Sequence, residues 1–169
     1  MRELVLYIAQ RAGNDPTFGR VKLAKLLYYS DCEAFRRLGT AITGADYQKL
    51  PHGPAARQYV PVFLEMQADG VAHEQKTGLG YKVIADAEPD ITVFSQEEIA
   101  IVDEIVDKYQ GWTAERISRE SHKEIGWRVA ELGAVIPYSA YLLEPAVAPE
   151  HIKRAQELVA ANNWVSEPF

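Results

Sequence analysis

Four histidines, His52, His73, His122 and His151, and one cysteine, Cys32, are the side chains of this chain best suited to metal binding or nucleophilic chemistry. Their spacing suits neither. There is no His-x-x-x-His pair and no pair of cysteines, so the donor pattern of a zinc or iron site is missing. Cys32 lies within an apolar-periodic stretch and reads as a small helix residue. Ser121 and His122, with Glu120 and Glu124 beside them, are the residue types of a hydrolase or transferase. A nucleophile and its base must meet in space, however, and adjacent side chains on a regular backbone point apart. The alternative places His122 in a buried hydrogen bond and Trp127 with its ring against the core. Gly78-Leu-Gly80 is a bare Gly-x-Gly with no helix opening behind it and no Gly-Lys-Ser/Thr, so it reads as a hairpin turn rather than a phosphate loop. No cofactor and no metal are expected.

Two further groups of residues suggest recognition. Arg116, Arg119, Lys123 and Arg128 form a basic row on the later helices, read as a salt-bridged, solvated face ahead of an anion or partner site. Pro51-His52-Gly53-Pro54 is the stronger case. Gly53 permits backbone angles closed to other residues, and two prolines lower the entropy lost on ordering, so Tyr47 and His52 would be held rigidly for recognition. Equally, the turn could simply deliver the chain into the next helix.

Composition narrows the classes. The chain has 169 residues, 47% apolar and 25% charged, in the range of one globular domain with a sizeable core. No run of ~18 apolar residues occurs, and the first ten residues lack a cleavage-site pattern, so neither a membrane span nor a signal peptide is expected. Together with a lone cysteine this points to the cytoplasm. A net charge of −6 and a pI near 5.3 disfavour wrapping nucleic acid and suit a basic protein partner.

The elements that must position these residues are mostly helical. Apolar spacing predicts helices over residues 2–11 and from Gly19 to a stop at Gly39, with Leu23, Leu26, Leu27, Ala34 and Leu38 on one stripe. Tyr28 and Tyr29 follow directly on the leucines, so at least one is expected at the edge of the buried face. Residues 42–53 read as an extended segment and a tight turn. Pro54 is expected to open the next helix, with Pro61 either kinking it or marking a true start near Val60. Residues 71–94 predict a small antiparallel sheet of two or three strands. Ser95 with Glu98 matches a capping box before a helix that buries Ile99, Val102, Ile105, Val106 and Tyr109. Thr113 caps a helix to about Glu120, and another spans roughly Glu124 to Leu132. A short turn of helix follows Pro137, and a last helix starts near Pro149 with Ile152, Ala155, Leu158 and Val159 inward. The expected class is α+β, predominantly helical, in one domain over residues 1–169.

Three blocks in fixed order carry a resemblance: Lys22 to Asp31 (Lys-Leu-Ala-Lys-Leu-Leu-Tyr-Tyr-Ser-Asp), Gly44 to Pro54, and Ser121-His122 to Trp127. Together they resemble the Panacea domain, the SocA-like antitoxin family of bacterial toxin–antitoxin systems. The resemblance implies an antitoxin, with no catalytic role, that neutralises a cognate protein toxin by direct binding. One branch of the family delivers its toxin to a ClpXP-type protease, and family members occur near phage genes. Candidate partner-binding residues are Tyr28, Tyr29, Asp31, Tyr47, His52, Gly53, His122 and Trp127, as contacts or as the frame beneath them. Two rival readings remain at this point: a hydrolase built on Ser121 and His122, and a regulatory DNA-binding module.

Overall fold

The apolar stripe of the second predicted helix becomes the element on which the rest is assembled. The structure is a computed structural model that describes residues 1–78 and 80–143; the expected last helix, His151 and Leu79 lie outside the described residues. Helix α1 (Arg2–Arg11) and helix α2 (Arg20–Leu38) have the predicted bounds, and α2 ends on Gly39 in the left-handed region, φ 79°. A run of buried residues extends along α2 from Lys22 to Ala34 because neighbours cover it on several sides, among them α1 and the later helices. Tyr28 and Tyr29 are therefore both interior, and the expected edge tyrosine is not found.

Strand β1 (Tyr47–Gln48) pairs antiparallel with strand β2 (Ala55–Ala56) across the Pro51–Pro54 turn. Pro54 consequently does not open a helix, because the next two residues are drawn into this ladder. Helix α3 (Tyr59–Ala68) starts where the alternative placed it. Pro61 falls in its first turn, where a missing N–H costs no intrahelical bond. Strands β3 (Ala72–Thr77) and β4 (Gly80–Ala85) form the predicted hairpin. Among the described residues no third strand joins them: Asp90 accepts from the Thr92 N–H at 3.0 Å, and this local turn coils Ile91–Val93 into a 3₁₀ segment.

Helix α4 (Gln96–Lys108) has the full reciprocal capping box of Ser95 and Glu98. Its buried face is Ile101, Val102, Ile105 and Val106, continued by Tyr109, so Ile101 takes the place expected for Ile99. Helix α5 (Ala114–Ser121) is capped by the Thr113 hydroxyl. Helix α6 (Ile125–Val129) stops earlier than expected. The chain after it turns back to β1, where Gly133 N–H donates to Lys49 at 2.8 Å, Lys49 N–H to Ala134 at 3.0 Å and Ile136 N–H to Tyr47 at 2.7 Å. A 3₁₀ segment, Tyr138–Leu142, follows Pro137. The fold is α+β and predominantly helical; the described residues form two small antiparallel sheets and one apolar core shared by α1 to α5 and both sheets. Among the described residues no helix is long and apolar enough to cross a membrane.

Candidate functional site

The Leu50–Pro54 turn rests on side chains from two distant parts of the chain, α2 and the segment from the end of α5 into α6. From below, Lys25 of α2 reaches up and its Nζ donates to the Pro54 carbonyl at 2.8 Å. From the side, Trp127 Nε1 donates to the Leu50 carbonyl at 3.1 Å. The Trp127 ring stacks on His122 with centroids 3.9 Å apart and planes within 13°, while Lys49 Nζ lies 4.5 Å from the indole centroid. His122 in turn hydrogen-bonds the Pro51 carbonyl. Gly53 has φ 98°, and a β-carbon placed on it would stand 2.2 Å from Ser121 Oγ and 2.7 Å from Lys25 Cε. Only glycine meets both demands, the left-handed backbone and the absent side chain.

Electrostatics follow from this burial. Lys25 lies in the core stripe beside Leu26, bonded to a neutral carbonyl and with no carboxylate in ion-pair range among the described residues. Burial pushes its ammonium down to about 7. His122 is shifted below its ordinary value by burial first, then by Lys25, His52 and Lys49 nearby. Its Nε2 is buried and unpartnered among the described residues. The second lysine of α2 is handled differently: Lys22 Nζ pairs with Asp15 at 2.5 Å and also donates to Thr17 Oγ1 and the Trp112 carbonyl, both at 3.0 Å.

A second brace holds the entry to the turn. Asp31, fully buried, accepts from Tyr47 Oη at 2.7 Å and from Thr43 N–H at 2.7 Å. Burial raises its carboxyl, and the bonds from Thr43 and Tyr47 oppose the rise. Tyr28 meets Tyr47 edge-on at 5.2 Å, and Tyr29 stacks on Tyr109 at 4.8 Å.

The eight candidate residues thus divide. Tyr28, Tyr29, Asp31, Tyr47 and Gly53 are buried, His122 and Trp127 are part-buried, and His52 is exposed at the tip of the turn. The sequence reading overlooked Lys25, whose signal was a lysine placed among the leucines of the apolar stripe. It also overlooked a groove of about 560 Å³ beside the turn, between the N-terminal half of α2 and α3. Val60 and Leu64, one helical turn apart on α3, line it and are 62% and 60% exposed.

The Ser121 and His122 pair does not assemble as a nucleophile and base. Ser121 is fully buried and its hydroxyl donates to the Ser118 carbonyl at 2.8 Å, while His122 is committed to Trp127 and Pro51. Among the described residues no three His, Cys, Asp or Glu side chains gather as a metal site. The basic row is only partly salt-bridged: Lys123 pairs with Glu120 at 2.7 Å and Arg119 with Glu115 at 3.8 Å, Arg116 lies 3.7 Å over the Trp112 ring, and Arg128 has no ion pair among the described residues. Cys32 is buried, and burial raises its thiol well above the ordinary value, which disfavours the reactive thiolate.

A mostly helical α+β protein in which separated segments brace one surface turn is the class these observations define. The chain belongs to the family described as Antitoxin SocA-like, Panacea domain, whose model matches residues 23–128, well over half of its length. The matched span begins in the segment that supplies Lys25 and ends just past Trp127. No curated protein and no solved structure matches the chain.

Proposed function

We propose that this protein is the antitoxin of a bacterial toxin–antitoxin system and that it neutralises its cognate toxin in the cytoplasm by direct binding, without cofactor or turnover. Family membership supports the antitoxin role. The observation that carries the binding surface is the pinned turn: Lys25, His122 and Trp127 hold Leu50–Pro54 so that His52 projects from a backbone that loses little further entropy when a partner covers it. His52 and the adjoining groove are the contact surface in this reading. Tyr28, Tyr29, Asp31, Tyr47, Gly53, His122 and Trp127 form its frame. An occluding interface of this kind needs roughly 1,200–2,000 Å² in total, more than the turn alone offers, so the groove wall of α3 belongs to it.

The test is co-expression with the product of the adjacent gene. Growth arrest by that product alone, relieved by this protein, is the expected result. A neighbour that is harmless with or without it removes the proposal's main support. Following the toxin's half-life during rescue separates the two modes: occlusion leaves it unchanged, whereas delivery to a ClpXP-type protease shortens it and the shortening disappears in cells lacking the protease.

A further inference from the structure

The groove between α2 and α3 has a local charge opposite to that of the whole protein. Its lining includes Arg20, Lys25 and Arg57 against a single carboxylate, Glu74, in a chain of net charge −6. Glu74 is engaged by Arg20 at 3.3 Å. Arg57 donates to the Gly133 carbonyl at 2.7 Å, so this exposed cation is bonded to a neutral acceptor; Lys25, buried beneath the Pro54 carbonyl and lowered to about 7, adds only part of a charge. Among the described residues neither has a carboxylate in ion-pair range. Elsewhere the acidic side chains outnumber their partners: Arg11 is shared between Asp103 and Asp107, and Arg37 between Glu33 and Glu104. Among the described residues Glu74 is the one acidic side chain lining the groove, so the surplus negative charge lies on other faces.

The apolar part of the groove is ordered for a helix. Val60 and Leu64 stand at i and i+4 on α3, their side chains exposed, while Phe63, which also lines the groove, and Met66 are buried. An apolar ridge at this spacing accepts the apolar stripe of a second helix, and cations along the wall favour carboxylates flanking that stripe.

We infer that the α2–α3 groove receives an amphipathic helix of the toxin whose apolar stripe is flanked by carboxylates. This rests on the antitoxin reading for the owner of the helix, and on the groove's own chemistry for its character. Charge complementarity selects an acidic helix over the basic partner that net charge alone would suggest.

The probes are two synthetic amphipathic peptides with the same leucine stripe, one flanked by glutamates and the other by lysines, followed by fluorescence anisotropy at low salt with the full chain. The glutamate peptide is expected to bind at least about tenfold more tightly than the lysine peptide, with the difference shrinking as salt rises. Leu64→Asp should abolish binding, Arg57→Glu should erase or reverse the preference, and Glu97→Gln, on α4, should change nothing. Circular dichroism of each variant establishes that it is folded. Tighter binding of the lysine peptide, or undiminished binding by folded Leu64→Asp, overturns the inference. So does a concentration-dependent dimer lost in Leu64→Asp, which would assign the groove to a second copy. The growth assay keeps the two readings apart. Rescue by folded Leu64→Asp equal to wild type sinks the groove and leaves the antitoxin; no rescue by wild type, with the peptide preference intact, does the reverse.

Discussion

Gly53 and Ser121, 68 positions apart in the chain, approach so closely that the glycine's missing β-carbon would lie 2.2 Å from the serine hydroxyl oxygen. This contact joins the turn to the end of α5. It explains why a serine carrying the residue type of a nucleophile is buried instead as packing: its hydroxyl points back to Ser118 and its volume ends where Gly53 begins.

Gly53→Ala is expected to destabilise the fold by about 2–4 kcal/mol, combining left-handed strain with overpacking against Ser121 and Lys25. Gly39→Ala is the control, since Gly39 has φ 79° but nothing within 4 Å of the added carbon. It should cost only about 1–2 kcal/mol. Urea denaturation midpoints measure both, and adding Ser121→Ala should recover part of the Gly53→Ala loss. Equal costs at the two glycines would contradict the contact.

Tyr47 and His52 sit five residues apart yet have opposite expected effects. Tyr47→Ala removes a buried ring and its bond to Asp31, and should cost about 3–5 kcal/mol. His52→Ala, at an exposed position, should stay within about 0.5 kcal/mol of wild type. Neutralisation should fall in His52→Ala despite unchanged stability. A His52→Ala protein that rescues growth fully takes the turn tip out of the interface.

Lys25 gives the protein a pH signature. In the unfolded chain a lysine titrates near about 10.4, whereas burial holds Lys25 at about 7 in the fold. Between these values the unfolded chain binds a proton that the folded one does not, so stability rises with pH, by about 1 kcal/mol per unit. Below about 7 both states are protonated and this contribution is flat. Lys25→Met should flatten the profile from about pH 7 to 9. A rise of the same slope in the variant would assign it elsewhere.

Asp15 acts at the acid end. Burial opposes its ionisation, but bonds from Lys22, Thr17 and Gly111 outweigh burial and hold it at about 2. Its contribution is present above about pH 4 and is lost as pH falls through about 2. Asp15→Ala leaves the Lys22 ammonium, 1% exposed, without its counter-charge, and should cost about 3–5 kcal/mol. Asp15→Ala with Lys22→Met should recover part of that loss in the same denaturation assay.

Local signals in the sequence determined most of the elements: the leucine stripe of α2 and its glycine stop, the Ser95–Glu98 capping box, the Thr113 cap and the β3–β4 hairpin. These are interactions between residues three or four apart, or across a tight turn, and the local order of residues expresses them. The order of the three blocks likewise carried the family. Tertiary structure decided the rest, because the deciding partners are remote in sequence. Pairing with β1 stopped Pro54 from starting a helix and drew the chain away after α6. Helices on several sides of α2 buried both tyrosines, where its own periodicity predicted one edge. Most of all, nothing near residue 25 says that its ammonium will lie against a turn 29 residues away. Whether a lysine, a serine, a histidine and a tryptophan become a catalytic set or a brace depends on the direction each side chain takes in three dimensions, and packing against distant neighbours sets that direction.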